Sequence, residues 1–301
     1  MYRLTNSVNS DIIIDYTQEN DMKTFKEFET TTKTLLIVDA LNLAFRWKHN
    51  KARDFAEDYL RTIDSLKKSY KASYVVVAAD QGSSSYRKNI YPLYKQNRKD
   101  KFEQQTEEEK LDFELFFEDF TSALELVEQH YTLLRFQGVE ADDIAAYIVS
   151  KKRQLKIDEM WLMSSDKDWD LLIKPGVGRF SYVTRKEVTW ENWNDHYAFE
   201  PEQYISVKCL MGDPGDNVIG VPGVGPKRAQ QLVEEYGTTW DIINSIPLQG
   251  RYKYIQAINE CKEQLELNYQ LMDLVTYCKD AIGQENCVAI DAKLQEMLCK
   301  P

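Results

Sequence analysis

The sequence predicts an α/β fold built on a mostly parallel central sheet flanked by helices. The runs TLLIVDA and YVVVAAD are apolar and rich in β-branched residues, with few polar breaks, as in strands covered on both faces. From Thr34 onward, strand-like and helix-like segments alternate, the order of a parallel sheet with crossover helices. Carboxylates also recur where strands should end. Asp39 closes TLLIVDA and Asp80 closes YVVVAAD; Glu140, Asp142 and Asp143 follow YTLLRFQGV, and Asp166 and Asp168 follow EMWLMSSD. In an open parallel sheet these positions share one crevice, where ligands bind.

The elements follow in order. Residues 1–33 are rich in Asn, Thr, Asp and Glu with weak periodicity, and read as a flexible or loosely docked extension. LLIVDA is a buried strand, and Phe55 to Tyr70 carries apolar residues near helical spacing. After YVVVAAD, residues 81–110 become Lys, Arg, Gln and Glu rich. This polar stretch is too long for an ordinary connection and is a candidate cover for the crevice. Leu111 to Gln129 reads as an amphipathic helix, then come a strand, a helix from Ile144 to Lys152 and another strand. RFSYVTRKEVTW suggests a short antiparallel hairpin; from Glu200 the chain is helical, its last 45 residues a cap on the sheet.

The bulk numbers fit a folded enzyme: 301 residues, 43% hydrophobic, 29% charged. A net charge of −11 argues against a polyanionic partner unless bound cations offset the carboxylates. Basic residues are unevenly placed. Arg46 to Lys71 holds eight Lys/Arg against four Asp/Glu, and Arg87, Lys88, Lys95, Arg98, Lys99 and Lys101 form a second stretch. The five scattered cysteines form no CxxC pair and suggest reduced thiols in a cytosolic protein. No apolar run approaches membrane-spanning length and no signal pattern opens the chain, so the expected location is cytoplasmic.

The acidic motifs carry the chemistry. GVEADDIAAYIV sets Glu140, Asp142 and Asp143 at the mouth of a helix; capping and the helix dipole account for one of the three. In SSDKDWD, Asp166 and Asp168 come first after the strand and are the candidate ligands, with Asp170 a solvent-facing or helix-start residue. MGDPGDN adds Asp213 and Asp216. Nine such carboxylates in one crevice need a counter-charge, and hard divalent cations, chiefly Mg²⁺, supply it through oxygen ligands. GVPGVGPKRAQQLVEEYG reads as a helix–hairpin–helix, with Gly223 and Gly225 allowing close backbone approach to a phosphate and Lys227 and Arg228 leading the helix. Tyr94, Lys95 and Arg98 in YKQNR suit phosphate contact and base stacking as well as they suit a solvated charged face.

These motifs, in this order, resemble the phage and bacterial 5′→3′ exonuclease/flap endonuclease family, which also supplies the nuclease domain of bacterial DNA polymerase I. The resemblance runs from about Lys33 to Ile282 and rests on IVDALNLAFRWKHN, YKQNR, GVEADDIAAYIV, SSDKDWD and MGDPGDN. It implies a nuclease core over residues 34–200 with a helical arch at 82–118, a helix–hairpin–helix DNA-binding region at 201–245, and C-terminal helices at 246–301 packing on the core. Asp80, Glu140, Asp142 and Asp143 would hold one Mg²⁺, and Asp166, Asp168, Asp213 and Asp216 a second, with Mn²⁺ able to substitute. Asp39 would act through water, Lys95 and Arg98 on the scissile phosphate, and the hairpin carbonyls on a K⁺ ion. Arg46, Tyr94, Lys208, Gly223, Gly225, Lys227 and Arg228 complete the candidate DNA contacts. The implied substrate is branched or 5′-ended DNA, a flap or a nicked or gapped duplex, cut by a monomer in phage replication within the bacterial host cytoplasm. Ala40 and Gln81 depart from the family pattern without removing a carboxylate or a basic contact. Two alternatives stay open: a related nuclease acting on RNA–DNA hybrids, and a DNA-binding scaffold without catalysis.

Overall fold

The computed structural model describes residues 32–299, so the extension expected at 1–33 lies almost wholly outside the described residues. The core is a six-stranded sheet in the order β3-β2-β1-β4-β5-β6. Its strands are β1 (Thr34–Asp39), β2 (Tyr74–Ala79), β3 (Thr132–Arg135), β4 (Glu159–Met163), β5 (Val177–Phe180) and β6 (Glu187–Val188). Within it all pairings are parallel except β5–β6, the hairpin expected from RFSYVTRKEVTW. The stretch expected to be helical from Glu200 is interrupted by a separate antiparallel pair, Gly212–Asp213 with Val218–Ile219. Chain order runs outward from β1 through β2 to β3, then restarts at β4 on β1's other side. The C-terminal ends of β1 and β4 therefore flank a topological switch point, where a crevice opens.

Both faces of β1 and β2 are covered, which is why their sequences lack polar breaks. Leu35, Ile37, Val76 and Ala78 face one way, with α6 (Ala141–Ser150), α12 (Leu274–Ile282) and α13 (Gln284–Cys299). Leu36, Val38, Val75, Val77 and Ala79 face the other, with α1 (Ala40–His49), α2 (Ala56–Ser69) and α5 (Glu107–His130). A third cluster lies apart from the sheet and joins α7 (Tyr204–Met211), α8 (Pro226–Tyr236), α9 (Thr239–Asn244), α10 (Lys253–Glu260) and α11 (Lys262–Met272). The cap on the sheet thus begins only at Leu274, because Ile255, Ile258 and Leu265 turn toward the hairpin region instead.

The polar stretch after β2 divides in two. Its first part, α3 (Ser85–Ile90), is packed into the body, with Ser84 and Arg87 buried. Only α4 (Gln96–Glu103) and the first turns of α5 stand out, α4 burying no residue at all. The helix α5 starts at Glu107, earlier than apolar periodicity suggests, because Thr106 and Glu109 form a reciprocal capping box. Its buried positions begin at Phe116, so one continuous helix runs from the exposed stretch into the core.

Candidate active site

The strand ends deliver their carboxylates to the crevice as the sequence suggests, and local bonds fix each one. Asp39 caps α1 by accepting from Asn42 N at 3.1 Å, and its second oxygen accepts from Ser164 Oγ at 2.7 Å. Asp80 Oδ1 accepts from Ala141 N at 2.7 Å, tying β2 to the start of α6. Asp142 Oδ1 accepts from Trp169 Nε1 at 2.6 Å, and Asp166 Oδ1 from Asp168 N at 2.9 Å.

These four carboxylates have neutral partners only; among the described residues no Lys or Arg forms an ion pair with them. Their acidity records the strain. Burial, with Asp80 adding to it, pushes Asp39 up to about 8. Burial also raises Asp80, Asp142 and Asp166, with Asp166 and Asp80 adding to Asp142, and Asp168 adding to Asp166. Like charges at this range resist joint ionisation without a cation.

The remaining carboxylates are compensated by basic residues. Lys95 Nζ donates to Glu140 Oε1 at 2.7 Å and lies 3.7 Å from Asp216. Burial disfavours the Lys95 ammonium, yet Glu140 and Asp216 outweigh it and raise its basicity. Burial would likewise raise Glu140, but Lys95 and Arg87 overcome it and hold it below the usual range. Arg98 donates to Asp216 Oδ1 and to Gly215 O, while Asn97 Nδ2 donates to Pro214 O at 2.7 Å. The YKQNR segment therefore clamps the 213–216 loop, and Lys95 itself sits in the left-handed region at φ 56°, anchored by its N–H to Asp216 O. Lys208 on α7 donates to Asp168 and stands 3.6 Å from Asp213.

Several expectations need correction. Asp143 is fully buried with both oxygens on Arg87, so in this arrangement neither oxygen is free to meet a cation. The helix period turns Asp142 toward the crevice and Asp143 into the body. Tyr94 is 3% exposed, with its one hydroxyl proton between Glu140 at 3.1 Å and Asp216 at 2.9 Å, so its ring cannot stack on a base. Lys208 is engaged among carboxylates rather than on an outer DNA surface. Of the two readings of Asp170 the helix-start one holds, in the first turn of the short helix Lys167–Leu172, and the solvent-facing one does not: it is buried against Arg179 and Tyr197, and Arg179 also holds Ser164 O at 3.1 Å, bracing the end of β4. The sequence offers Arg87 only as part of a basic stretch, and gives no individual role to Arg179, Ser164 or Trp169. A basic residue inside an otherwise polar run carries no mark of its burial.

In the hairpin, Gly223 adopts φ +80° and Gly225 precedes α8 as its cap. A side chain at Gly225 would meet no protein atom within 4 Å, so the open space there belongs to whatever approaches. Lys227 is exposed beside it. Arg228 turns back: its guanidinium donates to Gly223 O and lies over the Tyr254 ring, 4.8 Å from its centre. Arg46 is exposed on α1, near Ser165 and Arg185 along one groove.

The donor set, all carboxylate oxygens, suits hard divalent cations. Among the described residues no three acidic, His or Cys side chains stand in a preformed ligand arrangement. Lys95, Arg98 and Lys208 hold Glu140, Asp216 and Asp168.

Comparison with known proteins matches the chain along most of its length. Residues 34–198 match the family described as 5′-3′ exonuclease, N-terminal resolvase-like domain, and residues 199–294 that described as 5′-3′ exonuclease, C-terminal SAM fold. The flap endonuclease of Escherichia phage T5 is 44% identical over 268 residues, covering 88% of this chain and 92% of the relative. The solved structure of T5 5′-exonuclease with bound zinc superposes with a TM-score of 0.85 at 44% identity, over 88% of this chain and 100% of that one. A bacteriophage T5 flap endonuclease in a pseudo-enzyme–product complex with DNA and metal ions gives the same TM-score of 0.85 at 44% identity, over 89% of this chain and 100% of that one.

Proposed function

Given that the chain belongs to the 5′-3′ exonuclease family, we propose that it is a structure-specific 5′ nuclease, a 5′→3′ exonuclease and flap endonuclease. It hydrolyses DNA phosphodiesters near a 5′ end or a single-strand/duplex junction. The observation that carries this reading is the convergence of Asp39, Asp80, Asp142 and Asp166 on the switch-point crevice, close enough to raise one another's pKa and without a Lys or Arg in ion-pair contact. Those four would hold one divalent ion, Mg²⁺ or Mn²⁺ in its place, and Asp168, Asp213 and Asp216 a second, with Glu140 between the two groups. Such ions, when bound, supply an acidified water and positive charge for the attacking and leaving oxygens.

The chain's own residues do the rest. Lys95 and Arg98 present fixed positive charge at the mouth of the crevice, where charge develops on the phosphate. Trp169 and Ser164 hold Asp142 and Asp39 in place by donating to them. The Gly223–Gly225 turn and the exposed Lys227 contact duplex phosphates without reading bases. Because Arg228 occupies Gly223 O, a K⁺ ion at the hairpin would use other carbonyls. Among the described residues, no helix is long and apolar enough to cross a membrane.

The test is cleavage of a 5′-flap DNA by Asp166→Asn with Mg²⁺. Turnover falls by about 10³-fold or more while flap binding in Ca²⁺ persists, because the carboxylate serves the reaction and not the grip. Normal turnover in this variant removes Asp166 from the reaction.

A further inference from the structure

The basic residues divide the crevice into two unlike halves. On one side Asp39, Asp80, Asp142 and Asp166 accept only from neutral donors. On the other, Lys208 reaches from α7 across the gap between the end of β4 and the 213–216 loop. Its ammonium donates to Asp168 Oδ1 and stands 3.6 Å from Asp213 Oδ2. The Lys208 side chain is 11% exposed, so water screens this contact poorly. Asp213 is oriented for it: Oδ1 accepts from Gly215 N at 2.8 Å and from Asp216 N at 3.3 Å, which leaves Oδ2 facing Lys208. Asp168 shares its segment with Asp166, from which one residue, Lys167, separates it.

We infer that Lys208 is a built-in competitor for the second divalent cation, its ammonium holding the place between Asp168 and Asp213 that the ion takes. This rests on the metal-nuclease reading above and adds to it an inequality between the two positions. A cation entering beside Asp39, Asp80, Asp142 and Asp166 displaces nothing and relieves their repulsion. A cation entering beside Asp168 and Asp213 must first break a charge-assisted pair, and its apparent affinity falls by that amount. Lysine suits exchange of this kind, being a single point charge on a flexible four-carbon stem rather than a rigid fork. Once displaced, the same ammonium is free to meet an incoming phosphate.

The experiment is titration of the full-length protein with Mn²⁺, reading the unbound ion by electron paramagnetic resonance, in wild type, Lys208→Met, Lys208→Gln and Lys208→Arg. Wild type binds at two unequal sites. Lys208→Met and Lys208→Gln tighten the weaker site by about tenfold or more and leave the stronger within about twofold, as loss of a charge-assisted hydrogen bond implies. Lys208→Arg stays near wild type, which a merely structural role for the side chain would not produce. Lys208→Gln keeps a polar head in the same space and serves if the methionine variant fails to fold. Equal sites in wild type, or a weaker site unchanged or loosened in both neutral variants, overturns the inference while leaving the nuclease reading intact. No Mn²⁺ binding in wild type overturns the metal-site reading itself.

Discussion

Arg87 takes both oxygens of Asp143, at 2.6 and 2.8 Å, from a position 56 residues earlier in the chain. The same guanidinium donates to Glu140 at 3.1 Å and to Leu271 O at 2.8 Å, so it bolts α3, α6 and the α11–α12 junction together. Asp143 and Glu140 hold Arg87 protonated although burial works against the charge. Removing one partner of a buried pair leaves an uncompensated charge, which costs about 3–5 kcal/mol. Arg87→Met should therefore lower unfolding free energy by that amount in urea titration. The double change Arg87→Met/Asp143→Leu should recover much of it. Asp142→Asn, one residue away, should leave stability near wild type or higher and abolish cleavage. If Asp143→Asn proves as stable as wild type and loses only cleavage, Asp143 belongs with the metal ligands after all.

Lys95 should act on the reaction rather than on the grip. Its ammonium is already drawn to the crevice by Glu140 and Asp216. Lys95→Ala should lower single-turnover cleavage of a flap substrate with Mg²⁺ by about 10²-fold or more. The dissociation constant measured in Ca²⁺ should change far less, since other phosphate contacts remain. Small, parallel shifts in both quantities would place Lys95 among ordinary surface charges.

Metal-free stability should fall as pH rises. Asp39 has a folded pKa near 8, and Asp80, Asp142 and Asp166 are also raised. The folded state thus binds more protons than the unfolded state between about pH 4 and pH 8, and stability present at the acid end is lost toward the alkaline end. Glu140 is shifted the opposite way, so its contribution changes only at more acid pH. In EDTA, Tm at pH 8 should lie below Tm at pH 6. Mg²⁺ should raise Tm most at pH 8, by mass action on the ionised carboxylates, worth about 2.7 kcal/mol at a hundredfold excess over Kd. A flat Tm across this range would contradict the burial assigned to Asp39.

The hairpin should bind phosphates without sequence preference. Lys227→Ala should weaken duplex binding equally for all sequences and reduce the salt slope by about 1. Gly225→Leu should weaken binding more, since the space beside Gly225 is free of protein atoms and a side chain would fill it. Arg228→Ala should mainly loosen the turn, because its guanidinium serves Gly223 O and the Tyr254 ring. Filter binding over a range of salt concentrations distinguishes these. A loss confined to particular sequences would remove the hairpin from the phosphate-binding surface.

The sequence by itself determined the main strands, a mostly parallel sheet and the carboxylates at its strand ends, while the strand order that sets the crevice between β1 and β4 came from the structure. A strand covered on both faces must be apolar throughout, and Leu35 to Val38 alternate between two cores with no polar residue to mislead the reading. Carboxylates following such strands were legible for the same reason: strand ends share one edge of the sheet. Only the tertiary structure decided which carboxylates remain without a counter-charge. Asp142 and Asp143 are neighbours of the same type, yet a helix turns about 100° per residue, so one meets Trp169 and the other Arg87. Lys208 and Asp168 are 40 positions apart, and Tyr94 and Asp216 are separated by 122. Pairings at that distance follow from how α3, α6 and α7 pack, and local composition carries no record of it. Arg87 and Lys95 both lie in a polar run whose composition suits a solvated face as well as a phosphate contact, and burial against carboxylates from other elements sets the surroundings of each.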